Sequence, residues 1–297
     1  VVWFGSVQAA LDSLAREDCC CLIFKGSLSY PPNYQQGRFS ALQESATVDV
    51  AASTDCFKDL SFEDALSRLV DLEYTAVEIS IHEMGVQLKP SQVLEDLQAA
   101  LVRCQSTNRL NVIGYNVDIR AEGEEHYQQF EACCKLAKAT KVVTISVPSS
   151  ELGTPFNEEV EHLKRLTKIS KLHGVRVGMM SQIGSLTEDP DTVQVMCDHV
   201  DGLGLCLDPS HYICGPYSNR SFSHLMKYVY QVRLRDSKKD QLNVQIGQGE
   251  VDYGRLINQL DNVNYDHALI TAIEPVEGVD FSSEMRKMRL LLESQLF

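Results

Sequence analysis

From Val48 onward the chain repeats one pattern: a short apolar β-rich run, a turn set, then an amphipathic helical stretch, renewed at a spacing of roughly 30 residues. The predicted strands are Val48–Ser53, Ala76–Ile81, Leu110–Val117, Val142–Val147, Val175–Met180, Leu203–Leu207, Val229–Leu234 and Ala268–Ile273. Most are dominated by apolar and β-branched residues, the mark of a parallel strand buried on both faces, with isolated polar residues such as Glu78, Asn116 and Arg233 set among them. Helices are predicted between them. Ser61-x-x-Asp64 forms a capping box before Phe62, Ala65, Leu66, Leu69 and Val70. Further helices are expected over Gln92–Gln105, His126–Lys138, Glu158–Leu172, Tyr253–Leu260 and Ser282–Leu296. Asp189 or Thr187 caps another, with Pro190 in its first turn and Val193, Met196, Cys197 and Val200 at helical spacing. Eight strand-then-helix units predict an α/β fold, a (β/α)8 barrel. A doubly wound open sheet is the alternative. It would bring a glycine-rich phosphate loop after its first strand, and Ser53-Thr54-Asp55-Cys56-Phe57 contains no glycine.

At 297 residues and 44% hydrophobic content, one large core suffices. The expected organisation is an irregular N-terminal extension over 1–47, which shows no period after Gly26, followed by the barrel over 48–297. A net charge of −14 disfavours nucleic acid or anionic membrane as a partner. No apolar run reaches the roughly 18 residues of a membrane span, and Cys19–Phe24 follows Arg16, Glu17 and Asp18, so no export signal is read. The ten cysteines show no CxxC metal spacing and sit largely in apolar runs, which fits reduced thiols in a cytoplasm. A homo-oligomer is left open.

In such a barrel, side chains at the carboxyl ends of the strands meet in one pocket. The polar set there is Asp55, Glu78 with His82, Asn116 with Asp118, Ser146, Gln182, Asp208 with His211, Arg233 with Arg235 and Asp236, and Glu274. Carboxylates beside cations are what moving a proton next to a carbonyl requires. The catalytic candidates are Glu274, Asp208, His211 and Arg233; Glu78, His82, Asn116, Gln182 and Arg235 are candidates for substrate binding. Each has a structural alternative: Asp208 before Pro209 can shape a turn, His211 can pack, and Glu78 and His82 can cap. Gly247-x-Gly249-Glu250 reads as a turn into the next helix rather than a phosphate loop.

Four stretches, LTEDPDTV from Leu186, GLCLDPSH from Gly204, VRLRDSKKDQL from Val232 and GQGEVDYGRLINQL from Gly247, resemble the sugar phosphate isomerase/epimerase family with its xylose isomerase-like TIM barrel. The resemblance implies a small sugar-like substrate, in a superfamily that also holds ketose epimerases, hydroxypyruvate isomerase, an inosose dehydratase and endonuclease IV. It further implies a divalent metal, Mn²⁺, Mg²⁺, Co²⁺ or Zn²⁺, held by Glu, Asp, His and Glu at the ends of the fifth to eighth strands. Asp208 and Glu274 match two of those ligands, and His211 matches a substrate-contacting histidine. Met180 stands where the first Glu belongs, and Gln231-Val232-Arg233 replaces an HxH pattern. A thioether and a guanidinium do not ligate a hard dication, so the expectation is no cofactor or a weakly bound metal in a degenerate site. Two carboxylates and one guanidinium carry the same formal charge as three carboxylates and a dication. Arg233 is therefore expected in the region of the metal, tied to Asp208 and Glu274. Three functions follow: a sugar or sugar phosphate isomerase/epimerase-like enzyme that interconverts a small polyhydroxy carbonyl substrate, with Glu274 as the one remaining base and Arg233 or His211 steadying the enediolate; a sugar-binding or assembly barrel without turnover; and, less supported by the few histidines, an endonuclease IV-like nuclease.

Overall fold

The computed structural model describes residues 48–296, so the expected extension over 1–47 lies outside the described residues. Eight parallel strands close into a barrel in sequence order: β1 (Val50–Ser53), β2 (Ala76–His82), β3 (Asn111–Asp118), β4 (Thr144–Val147), β5 (Arg176–Met180), β6 (Leu203–Leu207), β7 (Val229–Leu234) and β8 (Leu269–Thr271). The helices are α1 (Phe62–Asp71), α2 (Pro90–Glu95), α3 (Leu97–Gln105), α4 (Gly123–Thr140), α5 (Phe156–His173), α6 (Pro190–His199), α7 (Ser210–Cys214), α8 (Tyr253–Asp261) and α9 (Phe281–Gln295).

Local chemistry accounts for most boundaries. Ser61 accepts the Asp64 amide at 3.1 Å and donates its hydroxyl to that carboxylate at 2.7 Å, so α1 starts where the capping box predicts. Asp189 caps α6 and Pro190 opens it, while Val193, Met196, Cys197 and Val200 are buried. The single helix expected over 92–105 is two. Asp96 leaves the helical region at φ −141° and its side chain accepts the Ala99 amide at 2.9 Å, so it caps a new helix instead of continuing the old one. The last strand is shorter than expected and ends at Thr271, three residues before Glu274. Pro275 removes an amide there and restricts the residue before it.

The outer core lies between strands and helices, and it includes Phe62, Leu66, Phe130, Leu136, Leu163 and Met288. Inside the barrel, Ala51, Ala76, Ala268 and Ile270 form a separate apolar cluster with Ile113 against it. These residues lie toward the amino ends of their strands, so that end is plugged and the polar residues farther along are left for the other. Seven described cysteines are free thiols, and all but Cys214 are buried.

The β6–β7 pairing slips between Leu205 and Cys206, and there the ring of Tyr230 presses on the backbone of Gly204. A Cβ at that glycine would come 2.1 Å from the ring. Gly204→Ala is expected to cost about 1–3 kcal/mol of unfolding free energy, measured by urea titration.

Candidate active site

Two clusters of charge occupy the carboxyl end of the barrel. The deeper one begins at Glu78, fully buried in β2 and level with Ser53 of β1 and Gly114 of β3. Both of its oxygens are engaged from β7, a strand that does not neighbour β2. The Gln231 amide donates to Oε1 at 2.7 Å, and the Arg233 guanidinium donates to Oε2. The pairing therefore crosses the lumen. Gly114 makes room for it, since a Cβ there would lie 2.7 Å from the Gln231 nitrogen. Arg233 also lies 3.7 Å from Asp55, whose other oxygen is 3.8 Å from His82 Nδ1. Burial opposes the charge on Arg233, but Glu78, with help from Asp55, holds its pKa above the ordinary value.

The second cluster stands where β6 and β7 end. Asp208 accepts the Ser210 amide at 3.0 Å on one oxygen and Arg235 Nε at 2.8 Å on the other. Its backbone is clasped by Ser181, whose hydroxyl accepts the Asp208 amide at 2.7 Å and donates to the Asp208 carbonyl at 3.1 Å. α7 then turns His211 back so that Nε2 lies 3.7 Å from Asp208 Oδ2, while Nδ1 accepts the Ile183 amide at 3.2 Å. An Nδ1 that accepts a backbone N–H leaves the ring proton on Nε2. His211 is thus a neutral donor pointing toward Asp208. Its pKa is lowered by burial first; Asp208 and Glu274 oppose this, and Arg235 and Arg233 add to it.

Arg235 is held by its surroundings. Its carbonyl accepts hydroxyls from Ser210 at 3.3 Å and Tyr253 at 3.1 Å. The neighbouring Asp236 gathers the strap that follows β7 by accepting the amides of Ser237, Gly247 and Gly249 at 3.1, 2.8 and 3.0 Å. The Gly247-x-Gly249 stretch thus encloses a carboxylate belonging to the chain itself, as a turn and not a phosphate loop. Beside the charged clusters, a cleft of about 240 Å³ opens among Asp55, Lys58, Ser80, His82, Met84 and Asp118.

The expected pairing of Arg233 with Asp208 and Glu274 is corrected: its partners are Glu78 and Asp55, and it is Arg235 that takes Asp208. Strand register decides this, because Arg233 sits one layer deeper than Arg235 and meets the Glu78 layer. Glu274 is exposed on the coil past β8 and lines a small crevice with Ile246 and Glu284. Asn116 is buried in β3, level with Ser80 and Ser146, whereas Gln182 is exposed. Gln231 is the site residue that the expectations left without a role. Its signal was polar residues at alternate positions, Gln231, Arg233 and Arg235, in an otherwise apolar run.

These residues do not fit a divalent metal. Among the described residues no three His, Cys, Asp or Glu side chains are placed to hold an ion together. Asp208 is bonded to a guanidinium and an amide, and Met180 on β5 offers only a thioether.

The family described as xylose isomerase-like TIM barrel matches residues 66–289. The chain belongs to this family. As a xylose isomerase-like barrel it superimposes on an L-ribulose 3-epimerase with a TM-score of 0.65 at 13% identity, covering 84% of this chain and 94% of that one. A probable 3-DHS dehydratase involved in petrobactin synthesis from Bacillus anthracis gives 0.64 at 13%, over 83% and 99% of the two chains. A xylose isomerase-like TIM barrel protein from Mycobacterium smegmatis, in complex with magnesium, gives 0.67 at 12%, over 85% and 99%. At such identities the likeness is one of fold. Among curated proteins none matches.

His126, His162, His211 and His267 all have pKa values pushed below the ordinary 6.5, in each case chiefly by burial. Unfolding raises these values, so just below pH 6.5 the unfolded chain binds more protons than the folded one. Stability contributed by these groups is present above that pH and is lost as pH falls toward the folded values. The melting temperature is expected to drop between about pH 7 and about pH 5, and His211→Gln is expected to shallow that slope.

Proposed function

We propose that this barrel is an enzyme of the sugar isomerase or epimerase type, moving a proton at a carbon next to the carbonyl of a small polyhydroxy substrate without a divalent ion. The observation that carries the reading is the juxtaposition of a neutral His211 Nε2–H and the Arg235 guanidinium around Asp208 where β6 and β7 end. In this reading Glu274 removes the proton from carbon, the electron pair of the broken C–H bond forms the C=C bond of an enediolate, and the carbonyl π pair moves onto oxygen. The Arg235 guanidinium and His211 N–H donate to the resulting enediolate oxygens. Glu274 returns its proton to the adjacent carbon, and a hydroxyl proton passes between the two oxygens, which completes an aldose–ketose exchange. With a single base, this route is favoured over epimerisation between two carboxylates. Sugars and sugar phosphates both lie within the class, and a cytoplasmic setting is supported by the buried free thiols.

A second reading, ligand binding without turnover, is favoured by the Glu78–Arg233 pair that fills the lumen. Incubation of the full chain with a panel of aldoses, ketoses and their phosphates in D₂O separates the two. Turnover places deuterium on the carbon beside the carbonyl, seen by NMR. A ligand that raises the melting temperature but is neither interconverted nor deuterated supports the second reading and refutes the first.

A further inference from the structure

We infer that Arg233 makes this barrel refuse a divalent ion, its guanidinium serving as the resident cation of the lumen. Where the resemblance expects an imidazole ligand on the seventh strand, a guanidinium stands that is 3% exposed and bonded to the fully buried Glu78. It cannot withdraw, because Glu78 also holds Gln231 and Asp55 lies on its other side. A dication entering this layer would meet a fixed positive charge in a medium that screens it poorly. The remaining acids are spoken for as well: Asp208, the one matching sixth-strand ligand, already has the Arg235 guanidinium and the Ser210 amide. β7 and the residue that follows it therefore supply one guanidinium to each of two buried carboxylates, and both pairs are closed before any ion arrives. Exclusion of the ion holds whether or not the barrel turns a substrate over.

The test is Mn²⁺ binding by the full chain after dialysis against EDTA, followed by isothermal titration and metal analysis by mass spectrometry. Wild type is expected to retain no metal and to give no saturable Mn²⁺ heat. The variant Met180→Glu/Arg233→His removes the guanidinium and supplies the carboxylate and imidazole. It is expected to give a saturable Mn²⁺ isotherm where wild type gives none. The same change with Glu78→Gln added, which removes the carboxylate left unpaired, is measured beside it so that a folded variant is in hand. Stoichiometric Mn²⁺ or Zn²⁺ retained by wild type overturns the inference. So does a folded variant that binds Mn²⁺ no better than wild type, since the guanidinium would then not be what keeps the ion out.

Discussion

Arg233→Met is expected to destabilise the barrel by about 3–5 kcal/mol, the cost typical of removing one partner from a buried ion pair. Glu78 has no exposure and Arg233 has 3%, so neither charge can turn to water when the other is lost. The surviving carboxylate would keep only the Gln231 amide at 2.7 Å. For a domain of this size the loss corresponds to a drop in melting temperature of about 10 °C. Glu78→Gln/Arg233→Met, which removes both charges, is expected to recover most of it, because an apolar or neutral pair of similar volume costs little in such a place. The comparison is made by urea unfolding of the four proteins in the double-mutant cycle. A single variant within about 1 kcal/mol of wild type, or a double no more stable than the single, would show that the pair does not hold the lumen.

That pairing also marks where reading the chain stops. The barrel was legible because parallel strands covered on both faces write themselves as mostly apolar runs, with a helix recurring after each. The outer cluster was legible in part for a different reason: Asp208 and His211 are three apart, and the turn between them is short. The lumen was not. Arg233 and Glu78 lie 155 residues apart, and which acid meets which arginine depends on the depth of each strand in the barrel. Register irregularities such as the β6–β7 shift between Leu205 and Cys206 contribute to that depth and leave no periodic trace in the sequence. Glu274 was misjudged more mildly. The apolar run through Ile273 suggested a strand that delivers it inward, but pairing ends at Thr271 and the acid stands on exposed coil.

The exposure of Glu274 makes it the sharpest test of the proposed chemistry. Glu274→Gln is expected to lower the rate of deuterium exchange by about 10²–10⁴-fold, the range for loss of a general base. Its stability should change by less than about 0.5 kcal/mol, as for a surface substitution away from any packed feature. Function and fold are therefore separable at this position, as they are not at Arg233. His211→Gln offers the contrasting case: the glutamine amide can still donate a hydrogen bond to an enediolate oxygen, so the loss should be smaller than at Glu274. If both residues act on one transition state, the double variant should be little slower than Glu274→Gln, because groups working as a unit are not additive. Exchange at the wild-type rate in Glu274→Gln, with the fold intact, would remove Glu274 as the base. The proton would then have to be taken by another group at the mouth, and Asp55 beside His82, opening onto the neighbouring cleft, would be the next carboxylate to replace.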